Sequence, residues 1–161
     1  MQPNKISLQQ LNQLNQEAFT AALAAVFEHS AWVAAESWQQ RPFADITTLH
    51  QALCATMRHA SPERQLAVIG AHPDLAGKAA LAGELTAASN HEQASAGLDR
   101  LSAEEFTLFT RHNNAYRERF AFPFIICVRE HTKQSILDSF AQRLIHSPEQ
   151  EMQTALDEIA K

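Results

Sequence analysis

Glycine is nearly missing from this chain, which has 161 residues and four glycines. That scarcity leaves no collagen-like repeat, and neither a Gly-rich phosphate cradle, a dinucleotide fingerprint nor a G-x-S-x-G elbow occurs. Cysteine is scarcer: Cys54 and Cys127 stand alone and far apart, too few for a disulfide framework or a paired zinc motif. A reducing compartment is the default expectation. No window reaches the roughly 18 consecutive apolar residues of a membrane span, and Met1-Gln2-Pro3-Asn4-Lys5 leads into glutamine and asparagine, not an apolar signal segment. The final Asp157-Glu158-Ile159-Ala160-Lys161 carries no peroxisomal or prenylation ending. These absences point to a soluble cytoplasmic protein without a membrane partner. Basic charge is also in deficit: 13 Lys and Arg against 18 Asp and Glu give a net charge of −5. Nucleic acid, whose phosphates demand a positive field, is not an expected partner.

What is present is a globular composition, 45% hydrophobic and 19% charged, at a length that predicts one domain over residues 1–161 with 1–5 frayed. Alanine, leucine, glutamine and glutamate abound, and β-branched residues seldom cluster, so the fold class is all-α. Ser61-Pro62-Glu63 and Ser147-Pro148-Glu149 place a serine cap before a proline at the first helical position, and Ser102-x-x-Glu105 has capping-box spacing. Eight or nine helices follow, over 15–28, 31–39, 46–60, 62–69, a short piece after Asp74, 89–100, 103–120, 132–146 and 148–160. In the helix after Ser102, Phe106, Phe109, Tyr116 and Phe120 form an apolar stripe interrupted by Asn113. A buried amide there needs a partner, and a loop backbone is the first expectation. Phe122-Pro123-Phe124-Ile125-Ile126-Cys127-Val128 reads as one extended apolar segment crossing a helical protein. It is either a buried connector or a stretch whose peptide groups, free of a helical ladder, bond a ligand.

Eight histidines raise the question of metal. No His-Glu-x-x-His occurs and no Glu is followed three residues later by His, so no metal site is expected. His50, His59, His131 and His146 sit beside polar neighbours in helical stretches and are expected to be solvated, while His29 and His72 stand out by context. His72 lies in Gly70-Ala71-His72-Pro73-Asp74-Leu75, where the proline forces it from helix into a turn. A turn histidine either caps the preceding helix or points into a cleft. In Ser89-Asn90-His91-Glu92-Gln93, the spacing puts Ser89, Glu92 and Gln93 on one face of a helix's first turn. Ser89 with Glu92 also reads as a capping box with no function beyond it.

Several uncommon strings in one order carry a resemblance over nearly the whole chain. They are Phe27-Glu28-His29-Ser30-Ala31-Trp32-Val33-Ala34, Arg41-Pro42-Phe43, Ala71-His72-Pro73-Asp74-Leu75-Ala76-Gly77-Lys78, the stretch from Ser89 to Gly97, Asn113-Asn114-Ala115-Tyr116 and Phe120-Ala121-Phe122-Pro123-Phe124-Ile125. The chain resembles the 2-oxo-4-hydroxy-4-carboxy-5-ureidoimidazoline (OHCU) decarboxylases of urate degradation. Two departures are visible, since the family usually has Pro at the position of Ala31 and Gly at that of Ala121. The resemblance implies an all-helical enzyme, often a homodimer, that takes the small molecule OHCU to (S)-allantoin and CO2 without a cofactor. It implies His72 as the catalytic histidine, Pro73 as a substrate contact and a Ser-x-x-Glu-Gln group at Ser89, Glu92 and Gln93; the expectation is that Glu92 is the catalytic partner of His72 and that Ser89 and Gln93 hold the substrate. It also implies main-chain contacts from Phe124, Ile125, Ile126, Cys127 and Val128, with Arg129 beside them as a further candidate. The substrate chemistry agrees, because a carbon bearing hydroxyl and carboxylate next to C=N can release CO2 into its own electron sink, with no pyridoxal or thiamine group. The rival readings are a helical ureide-binding module without turnover and a hydrolase of a related ureide.

Overall fold

The structure is a computed structural model that describes residues 5–77 and 83–161. Residues 1–4, and most of the short helical piece expected after Asp74 together with Lys78, lie outside the described residues. Among the described residues there are nine α-helices, two short 3-10 turns and no strand, as the composition predicts. Contacts divide the chain between Ala71 and His72 into two units.

The first unit holds α1 (Leu8–Gln13), α2 (Gln16–Leu23), α3 (Trp32–Ser37), α4 (Ile46–Arg58) and α5 (Pro62–Gly70). Four of these open on a side chain that accepts an N–H of the first turn, namely Ser7, Asn15, Asp45 and Ser61. Helix α1 was not expected, although Ser7-x-x-Gln10 forms a complete capping box and is the signal that marks it. Helix α3 opens on Ala31 at φ −56 with no side-chain cap. Proline shares that φ, so the departure from the family pattern leaves the backbone where proline would put it. Arg41 is the unit's main polar tie: it donates to the carbonyls of Asn12, Leu14 and Trp38 while its guanidinium stacks on the Trp38 ring.

The second unit holds α6 (Ala87–Ser95), α7 (Ala103–Phe120), α8 (Lys133–Arg143) and α9 (Pro148–Ile159). Helix α7 buries Phe109, Asn113, Tyr116 and Phe120, the stripe read from the sequence, while Phe106 is half-buried. The Tyr116 ring meets Phe124 edge-on at 5.1 Å, and Phe124 stacks on Phe140 at 3.8 Å. Helix α7 ends on Ala121 at φ 62, a left-handed cap that glycine adopts without strain. There the family's glycine has a physical reason, and alanine costs on the order of 1 kcal/mol. Beyond it, residues 123–127 belong to no helix or strand and residues 122–128 are buried throughout.

Two expectations are corrected here. Helix α6 starts three residues earlier than the capping-box reading required, because the Thr86 side chain accepts from the Ser89 N–H at 3.2 Å. Ser89 is therefore a buried residue inside the first turn and not its cap. His146 is not simply solvated, since its Nδ1 lies 2.7 Å from a carboxylate oxygen of the fully buried Glu151.

Candidate active site

Helix α5 stops at Gly70 because Pro73 denies His72 a helical conformation, and residues 71–77 run through turns outside any helix. The turn at residues 74–77 is crowded. Ala76 adopts φ 51, and a Cβ at Gly77 would come within 2.9 Å of the Asp74 Cβ, so a larger residue there would force the turn to shift. Side chains from two helices hold the turn. Gln93 of α6 accepts the Ala76 N–H at 2.9 Å and donates to the Asp74 carbonyl at 3.4 Å. From α7, Asn113 donates to the Leu75 carbonyl at 2.8 Å, and Arg117 one turn later donates to both Asp74 carboxylate oxygens at 2.9 and 3.2 Å. Asn113 thus finds the loop-backbone partner its buried position demanded.

The segment 122–128 is fastened differently. The Ile125 carbonyl accepts from Arg143 Nη1. Arg143 pairs with Glu151, which is fully buried and also accepts from the Tyr116 hydroxyl. Burial, reinforced by the Glu151 carboxylate, pushes the Tyr116 hydroxyl far above the ordinary tyrosine range, so it stays protonated as a donor. Two residues further on, the Cys127 N–H donates to Glu158 Oε2 at 2.9 Å. Burial alone would raise the Glu158 carboxyl, but that N–H, Lys161 and Arg143 outweigh it and hold the group below its ordinary value. Burial raises the Cys127 thiol, which suits an inert packed side chain. Among the described residues, the N–H groups of Phe124, Ile125 and Ile126 donate to no protein acceptor.

These parts meet at a recess enclosing ≈ 340 Å3, solvent included. His72, Pro73 and Leu75 line it from the turn, Ser89, Glu92 and Gln93 from α6, and Phe124, Ile125, Ile126 and Val128 from the buried segment. Of the ten residues that the sequence placed in the site, nine border it and Cys127 does not. Arg129 is directed elsewhere, donating to the Lys161 carbonyl. A larger cavity of ≈ 830 Å3, solvent included, lies between Leu85, Leu98, Leu101 and Phe106, but Asp99 is the one ionisable side chain on its lining among the described residues. Imidazole, carboxylate, hydroxyl and unpaired peptide N–H groups of the described residues come together in the smaller recess, the combination that proton-transfer chemistry needs. No group of three or more metal-ligating side chains occurs among the described residues.

Sequence reasoning missed Arg117, Arg143, Glu151 and Glu158. Arg117 had a readable signal, the i+4 spacing from Asn113 on the same face. Glu151 had none, since an acid in the first turn of α9 reads as a solvated partner of the helix dipole.

The family model described as OHCU decarboxylase matches residues 12–161. The chain belongs to the OHCU decarboxylase family. It is similar to the OHCU decarboxylases of Halalkalicoccus jeotgali (40% identity, covering 96% of this chain and 86% of that protein) and Haloferax volcanii (40%, covering 97% and 90%). Among solved structures, an (S)-allantoin synthase superposes with TM-score 0.71 at 29% identity, over 96% of this chain and 50% of the other. An OHCU decarboxylase solved in the presence of (S)-allantoin gives TM-score 0.68 over 91% of each chain; at 20% identity this is a likeness of fold.

Proposed function

We propose that the recess beside His72 is where this OHCU decarboxylase family member converts OHCU to (S)-allantoin and CO2. The observation that carries the reading is the convergence of His72, Glu92, Ser89 and an unpaired stretch of peptide N–H groups on one small cavity. Loss of CO2 breaks the bond from the carboxylate to the carbon bearing the hydroxyl; the freed pair forms a C=C bond to the adjacent carbon while the C=N pair moves onto nitrogen, which takes up a proton. The hydroxyl then yields its proton as that carbon becomes a carbonyl, and the adjacent carbon takes up a proton on one face. An imidazole exchanges protons near neutral pH, which gives His72 the acid/base role and Glu92 that of its carboxylate partner. Ser89 and the peptide groups of residues 124–128 orient the ureido and ring amides. Gln93 borders the substrate with its amide committed to the turn, so it also fixes the approach of His72. Pro73 sets the angle at which that histidine leaves the helix.

No helix among the described residues is long and apolar enough to cross a membrane. The proposed setting is a cytoplasmic enzyme working without a cofactor as a homodimer, a state that sedimentation equilibrium measures directly. The activity is tested by adding purified protein to OHCU freshly made by urate oxidation and following circular dichroism. Faster appearance of (S)-allantoin with matching CO2 release, unchanged after exhaustive chelation, is the expected result. Allantoin formed no faster than in the protein-free control overturns the reading.

A further inference from the structure

We infer that Arg143 and Glu158 are positioning residues for this reaction, holding the Ile125 carbonyl and the Cys127 N–H so that the N–H and carbonyl of Ile126 are presented together to the substrate's ring amide. The inference rests on the site proposed above. A trans peptide is planar, with its C=O and N–H pointing in opposite directions. Fixing the Ile125 carbonyl on Arg143 therefore aims the Ile126 N–H away from Arg143. Fixing the Cys127 N–H on Glu158 aims the Ile126 carbonyl away from Glu158 in the same manner. The two anchors share one neighbourhood, since the Arg143 charge acts on the Glu158 carboxyl. Both free groups of Ile126 are thus turned from that neighbourhood, and neither meets a protein partner among the described residues. Ile126 itself lines the recess. An adjacent donor and acceptor match a cyclic amide, which offers one acceptor and one donor in return.

The cost of the arrangement supports a role beyond stability. Arg143 and Glu151 are both buried, and an apolar pair of similar volume in such a place is often as stabilising or more so. What the ion pair adds is direction. The Arg143 guanidinium lies over the Phe124 ring at 4.3 Å while donating to the next residue's carbonyl, so two successive lining residues are oriented by one side chain.

The test uses the full chain, with (S)-allantoin binding by calorimetry and kcat and KM for OHCU measured below the melting temperature. Glu158→Ala is expected to weaken product binding and raise KM by about tenfold, as misplaced positioning groups do. Glu158→Gln, which keeps an acceptor for the Cys127 N–H, is expected to restore both to within about twofold. The double variant Arg143→Met/Glu151→Met removes the Ile125 tether without stranding a charge, and it is expected to show the same loss with the pH profile of kcat unmoved. Folded Glu158→Ala with wild-type KM and product affinity overturns the inference, and it decides alone if the double variant does not fold. His72→Asn is the control: its full activity would sink the site itself, whereas an inactive His72→Asn beside fully active anchor variants sinks only the positioning role.

Discussion

The turn carrying His72 is fastened by Gln93, Asn113 and the partly exposed Arg117–Asp74 ion pair, whereas the segment 122–128 is fastened by Arg143, Glu151 and Glu158 from within the protein. An ion pair open to solvent contributes about 0–1 kcal/mol and is weakened by salt. Breaking one partner of a buried pair costs about 3–5 kcal/mol. The difference matches the role proposed for each part: the turn bears the proposed acid/base, His72, and the segment bears the peptide groups proposed to orient the substrate.

The largest expected effect comes from the turn. His72→Asn should lose about 10²–10⁴ in turnover, the usual worth of general acid/base catalysis, with helical circular dichroism intact because the residue lies outside the core. Next come the two sets of fastenings, measured by urea unfolding. Glu151→Ala should cost about 3–5 kcal/mol by stranding Arg143, against at most about 1 kcal/mol for Arg117→Ala. Equal costs would erase the distinction between them.

Glu92→Gln should lower turnover by at least about tenfold, or 1.4 kcal/mol of barrier, at unchanged stability. It now isolates the carboxylate cleanly, since Thr86 and not Ser89 caps α6. The acid limb of the stability curve sharpens the contrast further. The Glu158 carboxyl is depressed in the folded state, so its contribution is present above the ordinary carboxylate range and is lost as pH falls through the folded value. Glu158→Gln should flatten that limb. The smallest effect is a gain: Ala121→Gly should add about 0.5–1 kcal/mol by relieving the left-handed cap, with turnover little changed.

Apart from α1 and the start of α6, the helices were legible in the sequence because their caps are local. Helix α7 runs over Ala103–Phe120 as its Ser102 box and aromatic spacing predict. His72 and the run from Phe124 were legible for a similar reason, each standing beside a proline that forbids helix. What holds them was not. Arg143 reaches Ile125 across 18 positions and Glu158 reaches Cys127 across 31, separations at which no periodicity links a charge to its partner. Glu151 shows the limit most sharply, because its position in the first turn of α9 reads as surface while packing buries it completely.

A crystal structure of the His72→Asn variant soaked with (S)-allantoin tests the central claim most directly. The product is expected in the recess bordered by Pro73, Ser89 and Glu92, with a ring or ureido amide bonded to the N–H and carbonyl of Ile126. Product seated instead in the larger cavity between Leu85, Leu98 and Phe106, with the recess left to solvent, would contradict it.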